Sequence, residues 1–492
     1  MIDPMLLLLP VLLPLLGGAA MFVFGAQSTK QREVYVQLIS CATSLLVFVL
    51  LFKRPSGTAT LLDLGGDVTL ALRMDGLSLV FAAIVAVLWP IAVLYSFEYM
   101  RHEHGENRFF AFFTMTYGVV LGIAFAANAF TLYLFYELLT LCTLPLVMHQ
   151  MDGQARFAGK KYLAYSMAGA ALAFVSMMFL MQYGSLDFVL GGSLAGVSIA
   201  GHRDLLRAAF VIGFFGFGVK AAVWPLHGWL PSAGVAPTPV TALLHAVAVV
   251  NAGVFAILRL IYYSYGTQLL SGSWAQMVVM AFAVFTIVYG SAMALRLQHL
   301  KRRLAYSTIS NLSYILFAAT LMTPGGLSAG LCHMVVHSAL KITLFFCAGA
   351  LLCQTHHKEY ISDYEGLGKR MPVTFTIFTI ASLGLIGVPL FAGFGSKWAI
   401  ASKAAALNDP LAWAGAAALV ISAFLTGLYQ MGVIIPACFP RKGHEAPGAD
   451  EVRDPGWRMI TSLVLLTALC FVLSFGMQWL YQFLTRAAAG LV

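Results

Sequence analysis

Charge is scarce in this chain of 492 residues: Asp, Glu, Lys and Arg make up only 10% of it, against 60% hydrophobic residues. One core cannot hide that much apolar surface from water, which excludes a soluble globular protein. Cysteine is sparse too. The seven (Cys41, Cys142, Cys332, Cys347, Cys353, Cys438, Cys470) are scattered and form no Cys-x-x-Cys pair, so an iron–sulfur cluster or structural zinc site has no support. No nucleotide loop, haem motif or metal constellation appears, so no cofactor and no metal are expected, and a stand-alone enzyme is disfavoured. The formal charge of +9 comes from no basic domain but from residues spread through short loops. Nucleic acid is therefore excluded as a partner, and the lipid bilayer is the solvent. Only Asp3, and no basic residue, precedes the first apolar run, so Met5 to Val23 reads as a retained span rather than a cleaved signal.

What the chain does contain is a series of apolar windows about twenty residues long. Spans are expected near 5–24, 35–52, 77–97, 109–127, 129–149, 161–183, 205–229, 239–262, 274–295, 304–322, 329–352, 372–403, 411–435 and 459–484. The fold class is an all-α polytopic membrane protein of about 14 transmembrane helices. The stretch from 436 to 458 (Pro440, Arg441, Lys442, Pro447, Pro455) reads as a surface linker. Alternating the loops between two sides places 18 basic residues on one and 8 on the other. The richer side is expected to be cytoplasmic, with both termini outside.

Two copies of Gly-Phe-Gly-x-Lys stand out, Gly216 to Lys220 and Gly393 to Lys397. They fall in expected spans 7 and 12, which run in opposite directions, as an inverted repeat requires. The implied organisation is 1–108 (helices 1–3), 109–262 (a first five-helix repeat), 263–435 (its inverted copy) and 436–492 (linker and last helix). Of 49 charged residues, 45 sit in loops or at span ends; the exceptions are Glu137, Lys220, Lys341 and Lys397. Three cations facing one anion do not balance as structural ion pairs. A lysine at the bilayer centre costs roughly 2.5–3.5 kcal/mol or more, which points to an ion path. His333 and His337 precede Lys341 by eight and four residues, on one helical stripe, and His245 follows Pro237-Thr238-Pro239. As zinc ligands the two histidines lack an intervening glutamate and a third partner. Pro225, Pro231, Pro237 and Pro239 are expected to break helix 7 and its exit, and Gly387 and Pro389 to break helix 12, with His227 at the first break as a hydration gate or a cap.

These residues resemble the antiporter-like membrane subunits of respiratory complex I, Mrp-type cation/proton antiporters and membrane-bound hydrogenases. The resemblance runs from Asp75-Gly76-Leu77-Ser78 through Tyr95 to Met100, Phe135-Tyr136-Glu137, Lys220 to Pro231, Ala236 to His245, Lys301 to Thr308 and His337 to Lys341, and on to Lys397 and beyond. It implies that Glu137 and Lys220 form the family's glutamate–lysine pair. Lys341 matches the central lysine, Lys397 the terminal one, and His245, His333 and His337 the relay histidines; Lys301 starts helix 10. A terminal lysine resembles the distal pumping, Mrp D-type and hydrogenase-type subunits. Two departures are notable. The sequence ends soon after the last span, without the long lateral helix expected of a distal complex I subunit, and His299 stands where relatives often show an acidic residue.

The implied function is proton translocation by a non-redox membrane subunit of a larger translocase in a bacterial inner membrane. Its partners would be other antiporter-like subunits and a redox or soluble module. Two alternatives stay open: Na+ or K+ exchanged for protons, and a membrane anchor for a soluble partner such as a bicarbonate-handling protein.

Overall fold

The computed structural model describes residues 3–66, 68–195, 201–441 and 452–491. Helices dominate because nearly every segment is apolar and carries start signals at its end. Asp75, Asn128, Asp152, Ser273, Thr323 and Asp409 each cap a helix by accepting the amide three residues on. Pro324 and Pro410 stand where a missing N–H costs nothing.

The first half comprises α1 (Leu9–Phe24), α2 (Thr29–Lys53), α3 (Gly76–Tyr99), α4 (Glu106–Phe125), α5 (Ala129–Val147), α6 (Gly153–Tyr183) and α7 (Arg203–Gly218). The short α8 (Trp229–Ser232) leads into α9 (Thr238–Ala246), α10 (Val249–Arg259) and α11 (Thr267–Leu270). Then follow α12 (Trp274–Arg296), α13 (Leu300–Thr320), α14 (Pro324–Gln354), α15 (Pro372–Ile386) and α16 (Ala392–Ala405). The chain closes with α17 (Pro410–Cys438), α18 (Trp457–Phe475) and α19 (Met477–Ala488). Among the described residues 11 helical stretches are long and apolar enough to cross a membrane. The other expected spans correspond to α7 with its irregular exit, to the more polar α13, and to α15 with α16, which a break divides.

The helical fold carries one short β element. Between α2 and α3 lies an antiparallel hairpin, β1 (Thr58–Asp63) with β2 (Thr69–Arg73). Gly65 and Gly66, both at positive φ, make its turn.

Burial grades from rim to centre. In α14, 94% of the most apolar window is buried, and in the α9–α10 stretch all of it, against 28% in α18 and 33% in α2. The outer helices present Leu, Phe and Val to lipid, and α14 is the axis on which α3, α9, α13, α15, α16 and α18 pack. The linker is more structured than expected. Asp454 accepts from the Val373 and Thr374 amides and so caps α15, while Glu98 accepts from the Gly456 and Met459 amides at the start of α18. Lys442 and Pro447 of that linker lie outside the described residues.

Candidate functional site

All three mid-membrane lysines are held inside the protein. Lys220 and Lys341 expose none of their surface and Lys397 only 8%. Among the described residues none of the three forms an ion pair; each ammonium ends on neutral oxygens instead.

Lys220 lies just past the last residue of α7, in a run of turns where Ala222 takes positive φ and Pro225 follows Trp224. Its Nζ donates to the Tyr136 carbonyl and stands 3.5 Å from the centroid of the Tyr136 ring, a cation–π contact. The Tyr136 hydroxyl donates to the Phe217 carbonyl at the end of α7 (3.1 Å). Glu137 is the next residue on α5. It is half-buried, and its Oε1 has no hydrogen-bond partner in the protein. The glutamate–lysine pair implied by resemblance is thus not closed in this structure. Gly253 of α10 packs on the Lys220–Ala221 backbone, where a Cβ would collide with the Ala221 nitrogen.

His245 is wholly buried near the end of α9, its ring 4.8 Å from that of Phe345 on α14. The helix breaks two residues later, at Val247–Ala248, and the Asn251 side chain bridges the gap by donating to the Ala246 carbonyl (2.8 Å) and to Ser338 Oγ on α14 (2.8 Å). Pro237 and Pro239, expected at the exit of the broken helix 7, start α9, Pro237 at its N-cap and Pro239 in its first turn. Pro231 lies within α8, and His227, buried, packs against the Tyr289 and Tyr306 rings.

On α14, His333, His337 and Lys341 line one face as expected, with the two imidazoles 6.1 Å apart. His333 Nδ1 is hydrogen-bonded to Ser396 Oγ (2.9 Å), and neither His337 nitrogen has a partner in the protein. Lys341 Nζ donates to Ser307 Oγ (2.7 Å) and to the Leu304 carbonyl (3.1 Å).

Lys397 sits in the second turn of α16. It reaches back across the break to donate to the Leu385 and Ile386 carbonyls (2.6 and 3.0 Å), which α15 leaves free at its end. Gly387 ends α15 at φ +88°, the left-handed conformation that favours glycine, and Val388-Pro389 follows.

Lys301, at the start of α13, is 5% exposed. It donates to the Ala236 carbonyl (3.4 Å) and lies 4.0 Å from Glu359, whose other oxygen is 3.0 Å from His299 Nε2. His299 is therefore no gap in the network: it holds a carboxylate that the loop after α14 brings in. The hydrogen bond from His299, opposed by burial and aided by the Lys301 and Arg302 charges, holds the Glu359 carboxyl below its ordinary range. A cavity of about 280 Å3 lies here, lined by Glu103, Asp152, His299, Lys301, His357 and Glu359 among others. It collects loops that the basic-residue count had assigned to one side.

Several partners escaped sequence reading. Tyr314, Ser396 and Glu359 contact the named groups, yet nothing in their spacing separates them from packing residues; Tyr136 and Ser307 lie in the resembling stretches but carried no assigned role. Arg259 was placed at a span end. It is 1% exposed and pairs with Asp75 (2.5 and 2.8 Å), the same residue that caps α3. Burial works to raise the Asp75 carboxyl, and the Arg259 charge with the Ser78 amide outweighs it, keeping the group below the usual carboxylate range.

Broken helices, buried amines and a lipid-facing rim define a multi-pass membrane protein with a polar axis through its centre. Residues 126–426 match the family model described as NADH:quinone oxidoreductase/Mrp antiporter, TM, and residues 62–110 match complex I chain 5 N-terminus. The chain belongs to this family of antiporter-like membrane proteins. It is 31% identical over 470 residues to NADH-quinone oxidoreductase subunit L of Mycobacterium tuberculosis, covering 92% of this chain and 72% of that one. It is 32% identical to hydrogenase-4 component B of Escherichia coli, covering 84% of this chain and 63% of that one. A probable K(+)/H(+) antiporter component of Rhizobium meliloti is 33% identical, with 78% and 39% covered. The fold is similar to that in the archaeal membrane-bound sulfane sulfur reductase complex (TM-score 0.85, 25% identity, 99% and 97% covered). It is equally close to that in the Mrp complex of Dietzia sp. (TM-score 0.85, 19% identity, 99% and 97% covered).

Proposed function

We propose that this chain moves protons along its buried lysine and histidine axis as one member of a multi-subunit ion-pumping complex. The observation that carries this reading is the set of three desolvated lysines whose ammonium groups end on carbonyl, hydroxyl and π-face acceptors rather than on carboxylates. A structural lysine at such depth gains from a fixed counter-charge; one that loads and unloads a proton is better held by neutral dipoles.

In this reading protons arrive from the cytoplasmic side, where the Glu359 cavity opens, and load Lys220. They pass by His245 to Lys341 and then by His337 and His333 to Lys397. Glu137 governs the loading. The Lys220 ammonium has two resting places on adjacent residues of α5: the Tyr136 carbonyl and ring, which it occupies here, and the Glu137 carboxylate. At about 4 Å and an effective dielectric near 20, closing that ion pair is worth roughly 4 kcal/mol. Moving a proton against about 150 to 200 mV needs roughly 3.5 to 4.6 kcal/mol. The two match, so opening and closing this pair is adequate to gate uphill transfer. The helix breaks at Pro225 and at Gly387-Val388-Pro389, with His227 beside the first, free backbone groups that hydrate the route.

The organisation into two inverted five-helix repeats, both termini outside and a bacterial inner membrane belong to the same reading, as does a redox or soluble module among the partner subunits. Exchange of K+ for protons is the second reading, favoured by the Rhizobium relative; the single mid-membrane carboxylate, Glu137, is a poor cation cage. Lys220→Ala and Glu137→Gln are expected to abolish proton movement by the assembled complex in vesicles. Wild-type rates in assembled variants refute the reading, and flux that requires K+ in place of a membrane potential selects the alternative.

A further inference from the structure

Protons cross a dry interior along hydrogen bonds, and between Lys341 and Lys397 most of the bonds run through hydroxyls rather than through the histidines, with one gap between Thr426 and Ser422 and a second before Lys397. On α13, Ser307, Ser310 and Tyr314 share one face; on α17, Ser422, Thr426 and Tyr429 share another, and the two faces meet. All six are wholly buried. Lys341 Nζ donates to Ser307 Oγ (2.7 Å), and the Tyr429 hydroxyl is bonded to Ser307 (2.6 Å) and Thr426 (3.2 Å). One turn along, Ser422 Oγ is bonded to Tyr314 (2.6 Å), Ser310 (3.0 Å) and Ser291 of α12 (2.5 Å). The Tyr314 ring ends this series 5.3 Å from Lys397 Nζ and 5.2 Å from the His333 ring.

We propose that this hydroxyl row is a second proton-transfer route, parallel to the histidine stripe, linking Lys341 to Lys397. It rests on the proposed function above. The ammonium of Lys341 gives its proton to the Ser307 oxygen as Ser307 releases its own to Tyr429, and so on through Thr426 and Ser422 to Tyr314. A bridging water passes the last proton to the Lys397 amine. Each hydroxyl breaks one O–H bond and forms another, so it ends with one hydrogen, and one proton leaves Lys341 as one reaches Lys397. Rotation of the hydroxyls resets the row. Three joints must turn first: Tyr429 donates to Ser307 and Tyr314 to Ser422, both opposite to the transfer, and Thr426 Oγ1 donates to the Ser422 carbonyl (2.7 Å) and has to swing toward Ser422 Oγ. Interhelical hydroxyl bonds also occur as plain packing glue in membranes. Glue needs no lysine at its end; this row begins on one and stops beside another.

The test is proton flux by the assembled complex in vesicles, with Ser422→Ala, Tyr429→Phe, their double variant and Ser422→Thr. The expected result is a loss of about fivefold to tenfold in the double variant at unchanged thermal midpoint, short of the roughly 10²–10⁴-fold typical of a lost proton-transfer group because the histidine stripe stays in place. Ser422→Thr, which restores a hydroxyl, recovers the flux lost in Ser422→Ala. Wild-type flux in the double variant, or failure of Ser422→Thr to recover it in an assembled complex, overturns the route. Lys341→Leu serves as the control. If it too retains wild-type flux, the proposed function fails; if it alone is inactive, only the hydroxyl route fails.

Discussion

The two Gly-Phe-Gly-x-Lys copies share a sequence but not a position relative to the helix breaks beside them. Lys220 follows α7 and comes before the turns at Pro225; Lys397 comes after the break at Gly387 and lies within α16. The first glycine does the same work in both. Gly216 lets α7 approach Ala173 and Gly169 of α6, and Gly393 lets α16 approach the Gly384 carbonyl, with no room for a Cβ in either place. The lysines then diverge. Lys397 closes the end of the helix before it, satisfying two carbonyls that would otherwise be orphaned. Lys220 rests on a carbonyl in the middle of α5, with Glu137 next door. A motif can therefore keep how closely helices pack while its lysine ends on the carbonyls of a neighbouring helix end in one copy and on a mid-helix carbonyl and ring in the other.

That contrast can be broken by stability measurements. Lys397→Ala leaves two buried carbonyls unpaired and is expected to destabilise the protein by about 1–3 kcal/mol, read as a lowered thermal midpoint. Lys220→Ala is expected to cost less than about 1 kcal/mol, because the Tyr136 carbonyl sits within a helix that can satisfy it. Equal losses in the two variants erase the distinction. A smaller effect sharpens it. Gly387→Ala forces a side chain into the left-handed region, with its Cβ 3.2 Å from Lys397 Cδ, and is expected to cost about 1–2 kcal/mol. Gly218→Ala, whose Cβ meets only Val223 at 3.5 Å, is expected to be near neutral or slightly stabilising by denaturation.

Much of this molecule was legible in its sequence. Long apolar runs located the helices, and charge inside those runs located the lysines. What was not legible has identifiable causes. The break at Val247–Ala248 carries neither proline nor glycine and is held open by Asn251, a residue that reads as ordinary helix. The Thr58–Arg73 hairpin is short enough to pass for a loop beside strong helical signals. Glu359 lies 60 residues beyond His299, so their 3.0 Å contact depends on how α14 returns the chain. The hydroxyl row looked like the small polar residues that any membrane helix carries. Its meaning appears only when α13 and α17 are brought face to face.

Proton flux, measured in vesicles holding the whole complex with Lys341→Leu, tests the central claim most directly. Lys341 is fully buried and joins the histidine stripe to the hydroxyl row. The account predicts that flux disappears while the complex assembles normally. An assembled Lys341→Leu complex that moves protons at the wild-type rate contradicts it.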